Sequence, residues 1–189
     1  GGGPIGVEFA GIFSSYGTEV TLLEGAPALF GRYDDDVAQA AREIIADQGI
    51  TAHAGVRVET VTDNVDSVTV NYLDSEGASK HLEVDYVMVA TGRKPATEGL
   101  GLENTSIETT EHGAIAVDEH LRTTAPNIFA LGDVNGGPQF TYISLDDYRV
   151  VLSQLLGDGS RSTKDRQAVA ATIYMNPPLS SVGLTERDA

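Results

Sequence analysis

Apolar positions along the chain change rhythm several times, and each change marks an element. Ile5, Val7, Phe9, Ile12 and Phe13 keep one side of a segment apolar from Pro4 until Tyr16-Gly17 stops it, so a helix is expected there. "EVTLLE" follows, a short run of strand formers suited to a strand buried on both faces of a parallel sheet. "YDDDVAQAAREIIADQG" has acids in its first turn, Val37, Ala41, Ile44 and Ile45 near helical spacing, and a closing glycine, so a second helix is expected. The period then becomes two. "RVETVTDN", "SVTVNYLD" and "KHLEV", separated by "DNVD" and "SEGAS", predict an antiparallel meander of three strands. "DYVMVATG" and "NIFALGD" each read as a buried strand ending at glycine, with a loop-rich stretch between them that offers only a weak strand at Ala114 to Val117. "TYISLDDYRVVLSQLLG" predicts a long helix, and "AVAATIYMNPPLSSVGLTE" starts a further strand. The chain contains no internal repeat and no low-complexity segment.

Composition narrows the chemistry. An apolar share of 41% over 189 residues supports a buried core. A formal charge of −16 repels phosphate backbones and anionic membrane surfaces, so neither nucleic acid nor membrane is expected as a partner. No apolar run approaches the roughly 20 residues of a membrane span and no secretory pattern is visible, which makes a cytoplasmic location the expectation. With no cysteine, this chain has no disulfide, zinc-thiolate site or thiol nucleophile of its own. His53, His81, His112 and His120 lack ligand-like spacing and read as non-catalytic.

The candidate chemistry starts at "GGGPIG". A bare GxGxxG is also what a flexible glycine run before a helix looks like, and Glu24 alone could be a solvated strand end. Context favours a dinucleotide loop. Gly1 would permit a tight turn, Gly3 would let backbone approach a pyrophosphate, and Gly6 would let the helix pack closely. Pro4 and Ile5 open the helix whose N-terminus would face the phosphates, and Ala10 keeps its packing face small. Glu24 ends the next strand, where a carboxylate can accept both ribose hydroxyls and repel a 2′-phosphate. NAD is therefore expected over NADP, with Arg32 the residue that argues the other way.

Taken in order, "GGGPIGVEFA", "VMVATGRKP", "TTAPNIFALGDVNGG" and "YMNPPLSSVGLTE" resemble the class I pyridine nucleotide-disulfide oxidoreductases, over essentially the whole chain. The resemblance implies an α/β fold. Residues 1–92 would form most of a Rossmann-like NAD(P)-binding domain with an antiparallel meander, its first strand missing. Residues 93–160 would return to an FAD-binding domain, and residues 161–189 would begin an α+β dimer-interface domain. It implies FAD and NAD as cofactors, a homodimer when full length, and a chain that is an internal piece of a longer protein. Gly132-Asp133, in isolation a common turn, matches the motif whose aspartate holds the FAD ribityl chain. Gln139, Phe140 and Thr141 match the region where a helix N-terminus faces the flavin and can stabilise negative charge on the reduced ring. Thr91 and Gly92 match the crossover beside the cofactors, with Arg93 a structural ion-pair partner. Glu8 matches a glutamate at the nicotinamide side that pairs with a lysine; as a plain residue it is a first-turn acid favourable to the helix dipole.

No catalytic residue is expected within this chain, because the family's redox cysteines and acid-base histidine would lie outside it. "PQFTYISLDDYR" most resembles the branch associated with resistance to reactive chlorine species, and its first part resembles mercuric reductase. A metal ion or another small molecule is thus the expected electron acceptor. Asp146 and Asp147 are expected to be solvated or structural, not metal ligands, since adjacent helical residues diverge by about 100°. Two other readings remain open at this stage: a disulfide-free flavoprotein reductase or NADH oxidase, and a catalytically silent NADH-sensing module.

Overall fold

The computed structural model describes residues 1–189 and divides the chain into two compact units. The first comprises Gly1–Gly92 with Ala170–Ala189, the second Arg93–Val169. No helix is long and apolar enough to cross a membrane.

In the first unit, helix α1 (Pro4–Ser15) begins with proline at its first position and Gly3 as an extended N-cap without a side-chain bond. It ends where Gly17 adopts φ +86°, a conformation natural to glycine. Val7 and Ala10 turn inward. Strand β1 (Thr21–Glu24) leads through helix α2 (Asp35–Asp47) to strand β2 (Thr51–Ala54), which pairs parallel to β1 with Glu24 opposite Ala54. Ala38, Ala41 and Ile45 form the inner stripe of α2. With Leu22, Leu29, Phe30 and Ile50 they join Val7 and Ala10 in one core, to which Ile173 and Met175 also belong. Strands β3 (Arg57–Asp63), β4 (Val68–Leu73) and β5 (Ser79–Val84) form the antiparallel meander in the order β3-β4-β5. Val70 and Tyr72 of the central strand are buried, whereas all of β3 is exposed.

The second unit has little regular structure. Isolated bridges join Thr109 to Ile115, Val117 to Thr123 and Arg122 to Phe129. Helix α3 (Thr141–Leu156) buries Ile143, Asp147, Val150 and Val151. Its apolar core is small: Leu121, Val150 and Val151, flanked by Val117 and Phe129. The C-terminal strand is a short antiparallel pair within the first unit, β6 (Ala171–Ile173) with β7 (Leu179–Ser181).

Two expected strands do not form. Residues 85–92 are irregular and exposed, with Tyr86 at 92%. "NIFALGD" makes one bridge, at Phe129, and then enters a 3-10 turn at Gly132–Asn135. Apolar β-branched composition supplies strand propensity, but a strand exists only where a neighbour completes its ladder. Residues 121–123 run beside "NIFALGD" but supply only the Arg122–Phe129 bridge, flanked by the bonds from the Thr123 N–H to the Ile128 carbonyl and from the Ala130 N–H to the Leu121 carbonyl, and residues 85–92 belong to none of the sheets.

Candidate functional sites

The glycines at the start of α1 differ in what they do. A Cβ on Gly6 would fall 1.9 Å from the Gly1 carbonyl oxygen, and one on Gly1 would fall 2.4 Å from the carbonyl oxygen of Ala90. Both contacts are impossible, so these glycines let backbone pack on backbone. A Cβ on Gly3 would meet nothing within 4 Å. Gly3, Pro4 and Ile5 are exposed, and the uncapped start of α1 opens on that space with the positive end of its dipole. This is a cradle shaped for an anion.

Glu24 closes the other side. Its Oε2 accepts the Gly2 N–H, and its Oε1 accepts the Ala26 N–H at 2.6 Å. Partial burial pushes its carboxyl upward, but these backbone donors outweigh it and hold it below the usual glutamate value. The residue thus clamps the glycine loop to the end of β1 while staying ionised, with lone pairs left to accept further donors. Spacing pointed to Glu24 but not to its hold on Gly2, since that bond joins positions 22 residues apart. Arg32 is exposed. Glu8 is half-buried and accepts the Tyr174 N–H at 2.9 Å. Thr91 and Gly92 are exposed, and Gly92 takes φ +136°, where a side chain would be strained.

In the second unit, Gly132 is forced by two conditions: φ is +71°, and a Cβ would lie 2.7 Å from Ser144 Oγ on α3. Asp133 projects from the exposed side of the turn and pairs with Arg93 at 3.4 Å, both side chains about half exposed. Gln139 and Phe140 are half-buried, Thr141 is exposed as the first residue of α3, and the Phe140 ring stacks on Tyr142 at 5.5 Å. Phe140 offers the helix no side-chain cap. An exposed carboxylate beside a glycine turn can accept from the hydroxyls of a polyol, and the N–H groups of the adjacent helix N-terminus suit an electron-rich ring.

Beneath that turn lies a polar cluster whose partners the sequence did not reveal. Asp147 is 1% exposed and accepts the Gly132 N–H at 2.7 Å and Asn135 Nδ2 at 3.1 Å. Arg166 Nη2 bonds its other oxygen, and Arg166 Nε reaches Asp146 at 2.7 Å. Arg161 also reaches Asp146, at 2.9 Å. One guanidinium fork therefore bridges the two diverging acids. Burial works against the Asp146 charge, yet Arg166 and Arg161 hold its carboxyl below the usual range. A signal was present: Ile143, Val150 and Val151 form an apolar stripe on α3, and Asp147 occupies its middle. A charge in that place demands a buried partner. No three His, Asp or Glu side chains converge on a metal-sized site. His120 Nδ1 lies 3.1 Å from the Arg161 carbonyl oxygen, and His53 packs near Tyr72.

Comparison with known proteins agrees over the chain's length. The sequence profile of the family described as "Pyridine nucleotide-disulphide oxidoreductase" matches residues 1–147. The chain is 50% identical over 189 residues to the probable pyridine nucleotide-disulfide oxidoreductase RclA of Escherichia coli, covering all of this chain and 42% of that protein. It is 37% identical to a mercuric reductase of Staphylococcus aureus, covering all of this chain and 34% of that protein. The solved Cu(II) complex of the HOCl-induced flavoprotein disulfide reductase RclA from E. coli superposes with a TM-score of 0.91 at 49% identity, over 99% of this chain and 42% of that one. The chain thus spans about two fifths or less of the length of these relatives.

Proposed function

Because the chain belongs to the pyridine nucleotide-disulphide oxidoreductase family, we propose that it carries the nicotinamide-dinucleotide site and one wall of the FAD site of a flavoprotein oxidoreductase. In this reading residues 1–92 bind NAD(H), residues 93–160 belong to the FAD-binding part, and residues from 161 begin the dimer interface of a homodimer. Gly1, Gly3, Pro4, Ile5 and Gly6 cradle the pyrophosphate, Glu24 receives the adenosine ribose hydroxyls, and Glu8, Thr91 and Gly92 lie toward the nicotinamide. Gly132 and Asp133 hold the ribityl chain, while Gln139, Phe140 and Thr141 flank the flavin. Bound flavin supplies hydride acceptance from the nicotinamide and electron delivery to a disulfide. The final acceptor is a metal ion or thiol-reactive compound, a choice supported by similarity to a mercuric reductase and to a flavoprotein solved with Cu(II).

The observation that carries this reading is the Glu24 clamp on the glycine loop, an ionised acceptor beside an open anion cradle. In the intact flavoprotein, Glu24→Ala is expected to weaken NADH binding by about 1–3 kcal/mol, the scale of charge-assisted hydrogen bonds. Titration of NADH and NADPH against wild type and variant checks it. A wild-type preference for NADPH would sink the assignment.

A further inference from the structure

Asp147 is the one charged side chain fully withdrawn from water, and neither cofactor site uses it. Packing alone does not explain it, because an apolar residue at that place in the α3 stripe would avoid the cost of burying a charge. Its bonds suggest another purpose. Two of its three donors, the Gly132 N–H and the Asn135 side chain, belong to the 3-10 turn at Gly132–Asn135, and Asp133 lies between them. The third donor, Arg166, compensates the charge and prevents the carboxylate from turning away. Asn135 is itself held on both sides, donating to the Ala130 carbonyl at 3.2 Å and accepting the Gly137 N–H at 2.9 Å. The turn is therefore anchored from below at both ends, while the Asp133 carboxylate stands half exposed above it.

We propose that Asp147, locked by Arg166, is a positioning residue for flavin binding: it holds the Gly132–Asn135 turn so that the Asp133 carboxylate keeps one direction. This rests on the reading of Asp133 as a ligand of the FAD polyol chain. A mobile turn would have to be ordered when the flavin binds, and that cost would appear directly in affinity.

The test uses the intact flavoprotein, stripped of flavin and titrated with FAD, with the visible spectrum of the bound flavin as a second readout. Asp147→Asn places an NH₂ against either Arg166 or the turn's own donors and is expected to raise the FAD dissociation constant about tenfold and to shift the flavin bands. Asn135→Ala keeps the charge pair intact and is expected to raise it about threefold. Adding Asn135→Ala to Asp133→Ala should weaken binding no further than Asp133→Ala alone, because Asn135 acts through Asp133. Wild-type FAD affinity and spectrum in Asp147→Asn, with only a lower melting temperature, would overturn the proposal. If Asp147→Asn does not fold, unchanged FAD affinity in Asn135→Ala overturns it. An Asp133→Ala protein that binds FAD like wild type would instead reject the parent reading and this inference with it.

Discussion

The two units of this chain are stabilised by different means. The first is organised around apolar side chains from two helices and two strands, with Val7, Leu22, Ala41 and Ile45 at its centre, and Glu24 grips the glycine loop at its rim. The second has only a small apolar cluster, Leu121, Val150 and Val151, and sets a buried carboxylate beside it, satisfied by a guanidinium and a backbone turn. An apolar core is tolerant, because its contacts are many and individually small. A buried ion pair is unforgiving, because removing one partner strands the other. Order around the Gly132 turn therefore rests on few residues, whereas order around the glycine loop is spread over many.

The largest effects should come from attacking each device directly. Asp147→Ala is expected to destabilise the second unit by about 3–5 kcal/mol, the cost of breaking a buried pair, whereas Ile45→Ala is expected to cost the first unit about 2–5 kcal/mol through cavity formation. Denaturant unfolding followed by hydrogen exchange in each unit distinguishes them. Comparable loss of protection in both units from either change would mean that they do not unfold separately.

A smaller effect should separate stability from binding inside the first unit. Gly3→Ala places its methyl in open space and is expected to leave unfolding within about 0.5 kcal/mol of wild type. In the intact flavoprotein the same methyl should raise the NADH dissociation constant about tenfold by obstructing the pyrophosphate. Gly6→Ala, which collides with the Gly1 carbonyl, should lose both. Equal NADH affinity in Gly3→Ala and wild type would remove Gly3 from the cradle.

The smallest effect is electrostatic. Asp146 is held below its ordinary value of 3.8 by Arg166 and Arg161, against burial. A carboxylate with a lowered folded value stabilises fully above its unfolded value and loses that contribution as pH falls through the folded one. The second unit should therefore weaken from about pH 4 downward, and added salt should reduce the effect because the pair is partly exposed. Glu24 has the same sign, but against burial it is held mainly by the neutral Ala26 and Gly2 N–H donors and less by a nearby positive charge, so its acid response should be less sensitive to salt. Acid titration of unit stability at low and high ionic strength checks the contrast.

The helices α1, α2 and α3 and the meander were legible because their hydrogen bonds close over four residues or across short turns, so period and punctuation in the sequence suffice to specify them. The glycine loop was legible for the same reason: its glycines, proline and following helix are contiguous. Residues 85–92 and "NIFALG" carry strand composition yet form no strand, because pairing depends on a neighbour, which composition cannot supply. Glu24 could be placed at a strand end, but its grip on Gly2 needed β1 and the loop brought together. Asp147 was recognisable only as a charge in an apolar stripe; the arginine that makes it tolerable lies 19 residues away. Local patterns determined the elements and the candidate loop, while tertiary structure decided which strands had partners and which charges could be buried, because both depend on groups far apart in the chain.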